Sequence, residues 1–504
     1  MLDQSHLIKT TEEKQRTGPA YLCLHGHFYQ PPRDDPFTEQ IPIEPAATPY
    51  ANFNEKITEE CYRPNAEAGN FDDINFDLGP TLAAWLEDAH PDVYARIIEA
   101  DRNNVTRYGV GNAMAQAYNH TILPLVSTRD KRTQIVWGLS DFERRYGRKA
   151  TGMWLAETAV DMESLDLLAQ YGITYTVLAP WQAATPIDPT EPYILPLYEG
   201  RSITVFFFNA PLSGGVSFDW NTTSNADEFA TGFLPGHLEL NKLATGEPQL
   251  ILIATDGELY GHHKPWRDKF LTHLLRVGAP SYGFEVCTLE RYMRMYPATK
   301  KVALRLPSAW SCSHGVARWD TGCECTENDS SWKGELNRAL RNLADRANPL
   351  FEQYAGETLR DPWAARNAYL PIRNGWESLE SFWAQQGKPS IDASLMQRTL
   401  LLLEAQYYQQ CSFTSCGFFF EELDRIEPRN NIAFARRSIS LIWQALGIDL
   451  QPTFVNDLQA VRSWRTPGLT GADVYRQLPI VRPDQLPPLA PVQSTAQDEE
   501  ENIA

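Results

Sequence analysis

The sequence is poor in cysteine, has no long apolar run and is short of positive charge, and each deficit removes a class of protein. Eight cysteines in 504 residues are too few for a disulfide scaffold, so reduced thiols or a metal site are expected in place of bridges. No run of 18 apolar residues occurs, so no stretch reads as a membrane-crossing helix. The first residues, MLDQSHLIKTTEEKQRTGPA, lack a basic segment followed by an apolar one, and a cytoplasmic location is the expectation. Acidic side chains outnumber basic ones 64 to 45, for a formal net charge of -19. That sign disfavours nucleic-acid phosphates and anionic lipid surfaces as partners, and favours a neutral or cationic one.

What is present points to several domains. A chain of this length that is 43% hydrophobic holds more apolar material than one core takes up. Residues 1–18 are polar and aperiodic, and 483–504, PDQLPPLAPVQSTAQDEEENIA, are rich in Pro, Gln and acid; both ends are expected to be disordered, the second as an acidic tail. Between 19 and 300, short apolar runs (YLCLHGHF, GMWLA, YTVLAP, SITVFFF, LILIA) alternate with amphipathic stretches such as TLAAWLEDAHPDVYARIIEADR and MESLDLLAQYG. Strands alternating with helices predict an α/β fold with a largely parallel sheet or barrel, whose function sits at the strands' C-terminal ends. From 301 to 482 the apolar period lengthens to that of helices. The 14 Trp, 21 Tyr and 22 Phe suit stacking on sugar faces as well as core packing, so they decide nothing alone.

Three segments carry chemistry. In AYLCLHGHFYQPPR a strand-like run leads into His25, His27 and Gln30. A spacing of two puts both imidazoles on one face of a strand, either as a buried hydrogen-bonded pair or as groups for sugar hydroxyls or a metal. In GMWLAE an apolar run ends at Glu157, and in LILIATDGELYGH another ends at Asp256, followed by Gly257, Glu258 and His262. Two carboxyls at two strand ends are what glycoside chemistry requires, one to attack and one to protonate, although acidic residues there also cap helices.

HGHFYQP, NHTILPL, GMWLAE and TDGELYGH, in that order, resemble the successive motifs of glycoside hydrolase family 57. The resemblance implies an incomplete (β/α)7 barrel followed by a mainly helical C-terminal domain that completes the cleft. It implies Glu157 as nucleophile and Asp256 as general acid/base of a double displacement on an α-glucan or maltooligosaccharide, as in α-amylases, 4-α-glucanotransferases and branching enzymes, with no cofactor required. His25, His27, Gln30 and His120 would line the subsite of the reacting sugar, with Trp154 close by, and Glu290 in CTLERYM is a further candidate. Asp256 would need a raised pKa, from burial or from repulsion by Glu157. DGELYGHHKPW resembles the branching form without its paired Trp. Beyond 300, PSAWSCSHGVARWDTGCECT and FTSCGFFFEELDRIEPRNN resemble a region of unknown function often fused to such barrels.

Other residues keep two readings. Cys312, His314, Cys323 and Cys325 form C-x-H and C-x-C pairs, the four soft ligands of a tetrahedral structural zinc, although C-x-C is an awkward spacing; reduced thiols near the cleft are the alternative. Trp310 and Trp319 flank them as a possible sugar platform. His262, beside His263 and Lys264, is a substrate-side or surface group, and Trp220 lies on a loop over the cleft or on a surface connection. Cys411 and Cys416 read as core or free thiols. Two rival functions are a metal-dependent, polysaccharide deacetylase-like hydrolase using His25 and His27, and a catalytically silent carbohydrate-binding barrel.

Overall fold

A strand buried on both faces is an unbroken apolar run, and AYLCLHGHF becomes such a strand: β1 (Ala20–Phe28), with every residue buried. In the computed structural model, which describes residues 18–389 and 392–478, β1 is followed by β2 (Asn75–Leu78), β3 (Ala113–Gln116), β4 (Met153–Trp154), β5 (Tyr175–Leu178), β6 (Tyr193–Pro196), β7 (Ser202–Phe207), β8 (Gln249–Asp256), β9 (Phe284–Val286) and β10 (Lys300–Lys301). The segments expected to be disordered lie outside the described residues, except for residue 18.

One sheet runs β4-β3-β2-β1-β8, all parallel, with β9 also beside β1. A second, β10-β6-β7-β5, pairs β5 parallel to β7 and β6 antiparallel to it. A single parallel bridge, Gly152 to Tyr175, links β4 to β5. At the other side, Asn209 N donates to Leu252 O at 2.7 Å, one bond and not a ladder. Among the described residues the parallel strands thus form a half-barrel that no continuous ladder closes.

Helices connect the strands, and their limits are set locally. Pro80–Ala89 and Pro91–Tyr108 each begin on proline, whose missing N–H is an orphan at that position anyway, and the second ends on left-handed Gly109. Met162–Gln170 begins at Asp161, whose carboxylate caps Ser164 N. Alternate strand residues fill the barrel interior: Tyr21 and Cys23, Tyr175 and Val177, and Leu250, Leu252 and Ala254 share one buried cluster with Trp154 and Phe206.

Two compact units result: residues 18–32, 43–126 and 141–316, and residues 33–42, 127–140 and 317 onward. The second is helical, built on Trp332–Ala355, Ala393–Cys411 and Ile426–Leu446. It draws in the segment 127–140, where Trp137 Nε1 donates to Arg366 O and the buried Arg366 guanidinium pairs with Asp130 at 2.9 Å. A concavity of about 490 Å³ in this unit is lined by Ser127, Arg129, Asp345, Asn348 and Glu352, and holds none of the residues singled out from the sequence. No helix among the described residues is long and apolar enough to cross a membrane.

Candidate active site

β1 lies between β2 and β8, and the register sets His27 opposite Asp77 on one side and opposite Asp256 on the other. His25, two residues earlier, faces the same way and lies opposite Asn75. Asp77 is fully buried and accepts from both imidazoles: His25 Nε2 at 3.1 Å and His27 Nδ1 at 2.8 Å. Asn75 Nδ2 donates to His25 Nδ1 at 2.9 Å, so His25 carries its proton on Nε2 and is neutral, and burial holds its pKa below the ordinary value. His27 differs. Burial opposes its charge, but Asp77, with Asp256 and Glu258 behind it, overcomes that and lifts its pKa to about 9. His120 Nε2 lies 3.1 Å from His27 Nε2. Burial and the His27 charge push His120 well down, so it accepts from an imidazolium.

Glu157 closes β4 on a strained turn. Its φ is 57° and that of Thr158 is 48°, a left-handed pair that is unfavourable for non-glycine residues and most so for the β-branched threonine. The turn is held in place: Gln182 Nε2 donates to Thr158 O at 2.9 Å and to Ser308 Oγ at 3.1 Å, while Thr158 Oγ1 donates to Gln182 Oε1 at 2.8 Å. Trp310 N donates to Glu157 O at 3.0 Å. The carboxylate then receives Trp310 Nε1 at 2.9 Å and Ser311 Oγ at 2.7 Å. Burial raises the Glu157 pKa, Asp256 adds to the rise, and these two donors oppose it.

Asp256 ends β8. Its side chain is exposed, yet the protein atoms packed around the strand end raise its pKa, against the pull of His27 and His263. Among the described residues no side chain donates a hydrogen bond to it. Gly257 follows because the Phe28 ring packs where a side chain would start, an added Cβ falling 2.4 Å from it. Glu258 is buried and accepts from Tyr62 Oη at 2.7 Å and Tyr29 N at 3.1 Å. Burial, with Asp256 nearby, raises its pKa to about 7. Gln30 Nε2 donates to Tyr62 Oη at 3.2 Å.

The structure therefore gathers His25, His27, Gln30, His120, Glu157, Asp256 and Trp310 at the C-terminal ends of the strands, and corrects several expectations. Trp154 is 0% exposed and cannot face a sugar; its ring stacks on His25 at 4.6 Å and His27 at 5.2 Å, as a shelf behind them. His25, also 0% exposed, meets Asp77 and not solvent. His262 is tied to Glu60 at 2.5 Å, and it is His263 that feels Asp256. Glu290 accepts from Thr151, just before β4, at 2.6 Å, which puts it at the opposite end of that strand from Glu157. Trp319 is fully buried, so it offers no platform, whereas Trp220 is exposed, its ring beside Lys264 and Arg267. Both ring nitrogens of His25 are bonded, to Asp77 and Asn75, and both of His27, to Asp77 and His120, which leaves neither imidazole a nitrogen for the metal ion that the deacetylase-like reading requires. Among the described residues, the group placed to hold a metal ion is Cys312, His314, Cys323 and Cys325.

The residue the sequence reading missed is Asp77. It lies next to last in the strand-like run INFDL, and a carboxyl near a strand's C-terminal end is the one signal it shares with Glu157 and Asp256. Asp77→Asn removes the buried charge that sustains the His27 imidazolium. The expected result is a loss of about 3–5 kcal/mol in unfolding free energy, the scale for breaking a buried ion pair, with the His27 titration moving below its present value of about 9 in NMR. An unchanged titration would contradict the assignment.

The same group sets a pH dependence. A histidine whose folded pKa is about 9, against an ordinary value of 6.5, stabilises fully below the lower value and loses that contribution as pH rises through the higher one. Glu258, raised from 4.5 to about 7, adds a loss in the same direction between those values. The unfolding free energy from denaturant titrations should therefore fall from mildly acid to alkaline pH, by on the order of 3 kcal/mol for His27. A rise across that range would contradict the network.

Residues 19–305 match the family model described as Glycosyl hydrolase family 57, and residues 329–494 match one described as a domain of unknown function, DUF3536. The Alpha-amylase 1 of Dictyoglomus thermophilum is 24% identical over 262 residues, 51% of this chain and 33% of that protein. The 4-alpha-glucanotransferase of Thermococcus litoralis is 26% identical over 167 residues, 31% of this chain and 24% of that protein. The chain thus spans about a third or less of these curated relatives. Among solved structures, an exo-type maltose-forming amylase from Pyrococcus sp. ST04 superposes with a TM-score of 0.69 at 13% identity, over 87% of this chain and 82% of that one. A branching enzyme from Pyrococcus horikoshii gives 0.60 at 15% identity, over 94% and 99%. At such identities these likenesses establish the fold. The family match covers more than half of the 504 residues and includes both strand-end carboxyls and the histidine pair, and the chain belongs to glycosyl hydrolase family 57.

Proposed function

We propose that the chain is a retaining glycosidase or transglycosylase acting on α-glucans, with Glu157 as nucleophile and Asp256 as general acid/base. The observation that carries the division of roles is the contrast in hydrogen bonding. Glu157 receives two donors, Trp310 and Ser311, which favour its ionised form, whereas Asp256 receives none among the described residues and its pKa is raised, which favours its protonated form. Glu157 Oε attacks the anomeric carbon as Asp256 passes its proton to the leaving oxygen. Water or a sugar hydroxyl then displaces Glu157 while Asp256 takes the proton back.

The His27 imidazolium, held between Asp77 and Asp256, supplies positive charge to this acidic cluster and opposes the rise of both carboxyls. The relatives named as α-amylase, 4-α-glucanotransferase and branching enzyme support an α-glucan or maltooligosaccharide substrate. Incubation of the purified chain with amylose and with maltooligosaccharides tests the reading. New reducing ends indicate hydrolysis, redistributed chain lengths without them indicate glucanotransfer, and new α-1,6 points indicate branching. No change in any glucan would overturn the substrate class.

A further inference from the structure

We propose that Cys312, His314, Cys323 and Cys325 bind one zinc ion, and that this ion steadies the segment carrying Trp310 and Ser311, the two donors to Glu157. The second half rests on the reading of Glu157 as nucleophile; the first does not.

One ligand atom from each of the four residues lies within 4.8 Å of all the others. In a tetrahedral site with Zn–S bonds of about 2.3 Å, neighbouring sulfurs sit about 3.8 Å apart, so the observed set needs only small side-chain rotations to close on an ion. Three thiols and an imidazole are a donor set typical of structural zinc, four-coordinate with no open position. None of these cysteines is in a disulfide.

The C-x-C spacing ceases to be an obstacle because the chain folds back on itself between the two pairs. Gly315 (φ 76°) and Gly322 (φ 82°) are both left-handed and bracket the short helix Ala317–Asp320. A side chain is resisted at each: an added Cβ would fall 3.0 Å from Pro307 O at Gly315 and 2.4 Å from Ser330 O at Gly322. Around the second pair, Arg318 donates to Cys325 O at 3.3 Å, and Thr326 Oγ1 donates to Cys323 O at 3.0 Å. Such outer bonds orient metal ligands.

The consequence follows from chain order. Cys312 is the residue after Ser311, and Ser311 Oγ and Trp310 Nε1 hold the Glu157 carboxylate. Fixing Cys312 and His314 to an ion restrains both donors from one side, as Trp310 N, bonded to Glu157 O, does from the other. A closed site has no room for substrate, so the ion's part is positioning.

The test is elemental analysis of the full chain purified in reductant without chelator, together with cobalt(II) exchange. The expected results are one zinc per chain, the ligand-field absorption of tetrahedral thiolate-bound cobalt after exchange, and loss of both in the Cys323→Ser/Cys325→Ser double variant. The wild-type measurements need no variant to fold. Zinc absent from a wild type that also takes up no cobalt, zinc retained by the double variant, or Cys312, Cys323 and Cys325 found oxidised to disulfides would each overturn the site. Chelator-stripped protein should lose roughly ten- to a hundred-fold in kcat, with KM little changed, as donors to the nucleophile drift. An unchanged kcat in stripped protein would overturn the link to Glu157 and leave the zinc site standing. Were no glucan activity found at all, the metal count would still decide the site on its own.

Discussion

Glu157→Gln is expected to abolish turnover of any glucan the wild type acts on, with kcat down by at least about 10⁴-fold, the scale seen when a covalent nucleophile is removed. The amide still accepts from Trp310 Nε1 and Ser311 Oγ, the donors that now reach the carboxylate, so the strained turn at 157–158 should survive and the melting temperature should change little. That separates a chemical loss from a folding loss. Glu157→Gly, supplied with an α-glucosyl fluoride, gives a sharper version. Azide should displace fluoride directly and yield the inverted β-glucosyl azide, because no enzyme-bound sugar intervenes. A retained azide from that variant, or activity in Glu157→Gln within tenfold of wild type, would remove Glu157 from the role.

The second large effect is expected at Asp256. Asp256→Asn cannot protonate the leaving oxygen, and kcat on maltooligosaccharides should fall by about 10²–10⁴-fold, the range for losing a general acid. α-Glucosyl fluoride needs no proton to leave, so its first step should proceed nearly unimpaired while the second, lacking a base, becomes slow. A glycosyl-enzyme on Glu157 should then accumulate and be visible in the intact mass, and azide should now give the retained product. The pH profile provides an independent check. The Asp256 pKa is raised by the protein around it, so the wild type should keep its alkaline limb above the range of an ordinary aspartate, and that limb should vanish in Asp256→Asn. A limb that persists would assign the proton to another group, and Glu258, lifted to about 7, would be the one to test.

Much of this site was legible before any coordinates. Strand-end position and a spacing of two singled out His25, His27, Glu157 and Asp256, because period and side-chain direction in a strand are local properties of the backbone. Asp77 was not found. A lone aspartate in INFDL carries no local sign of its partners, and its role appears only when β2 lies beside β1 in a register that sets residue 77 against residue 27. Trp154 was misplaced for a related reason: sequence puts it near the histidines but cannot tell which side of them its ring covers. Its 0% exposure makes it support for His25 and His27 and not a wall of the subsite. His262 and His263 are neighbours that sequence could not separate; packing gives one to Glu60 and leaves the other near Asp256.

The cysteine-rich segment shows the same division. Its ligand types were readable, but C-x-C looked unfavourable until two left-handed glycines and a short helix turned the chain back on itself. The sequence by itself thus determined the class of fold and pointed to two strand-end carboxyls, since these follow from periodicity, length and the resemblance of the motifs. Only the tertiary structure decided the protonation of His27, the unequal hydrogen bonding of Glu157 and Asp256, and which aromatic rings face solvent. Those depend on groups distant in the chain, on desolvation and on register, which no local pattern encodes.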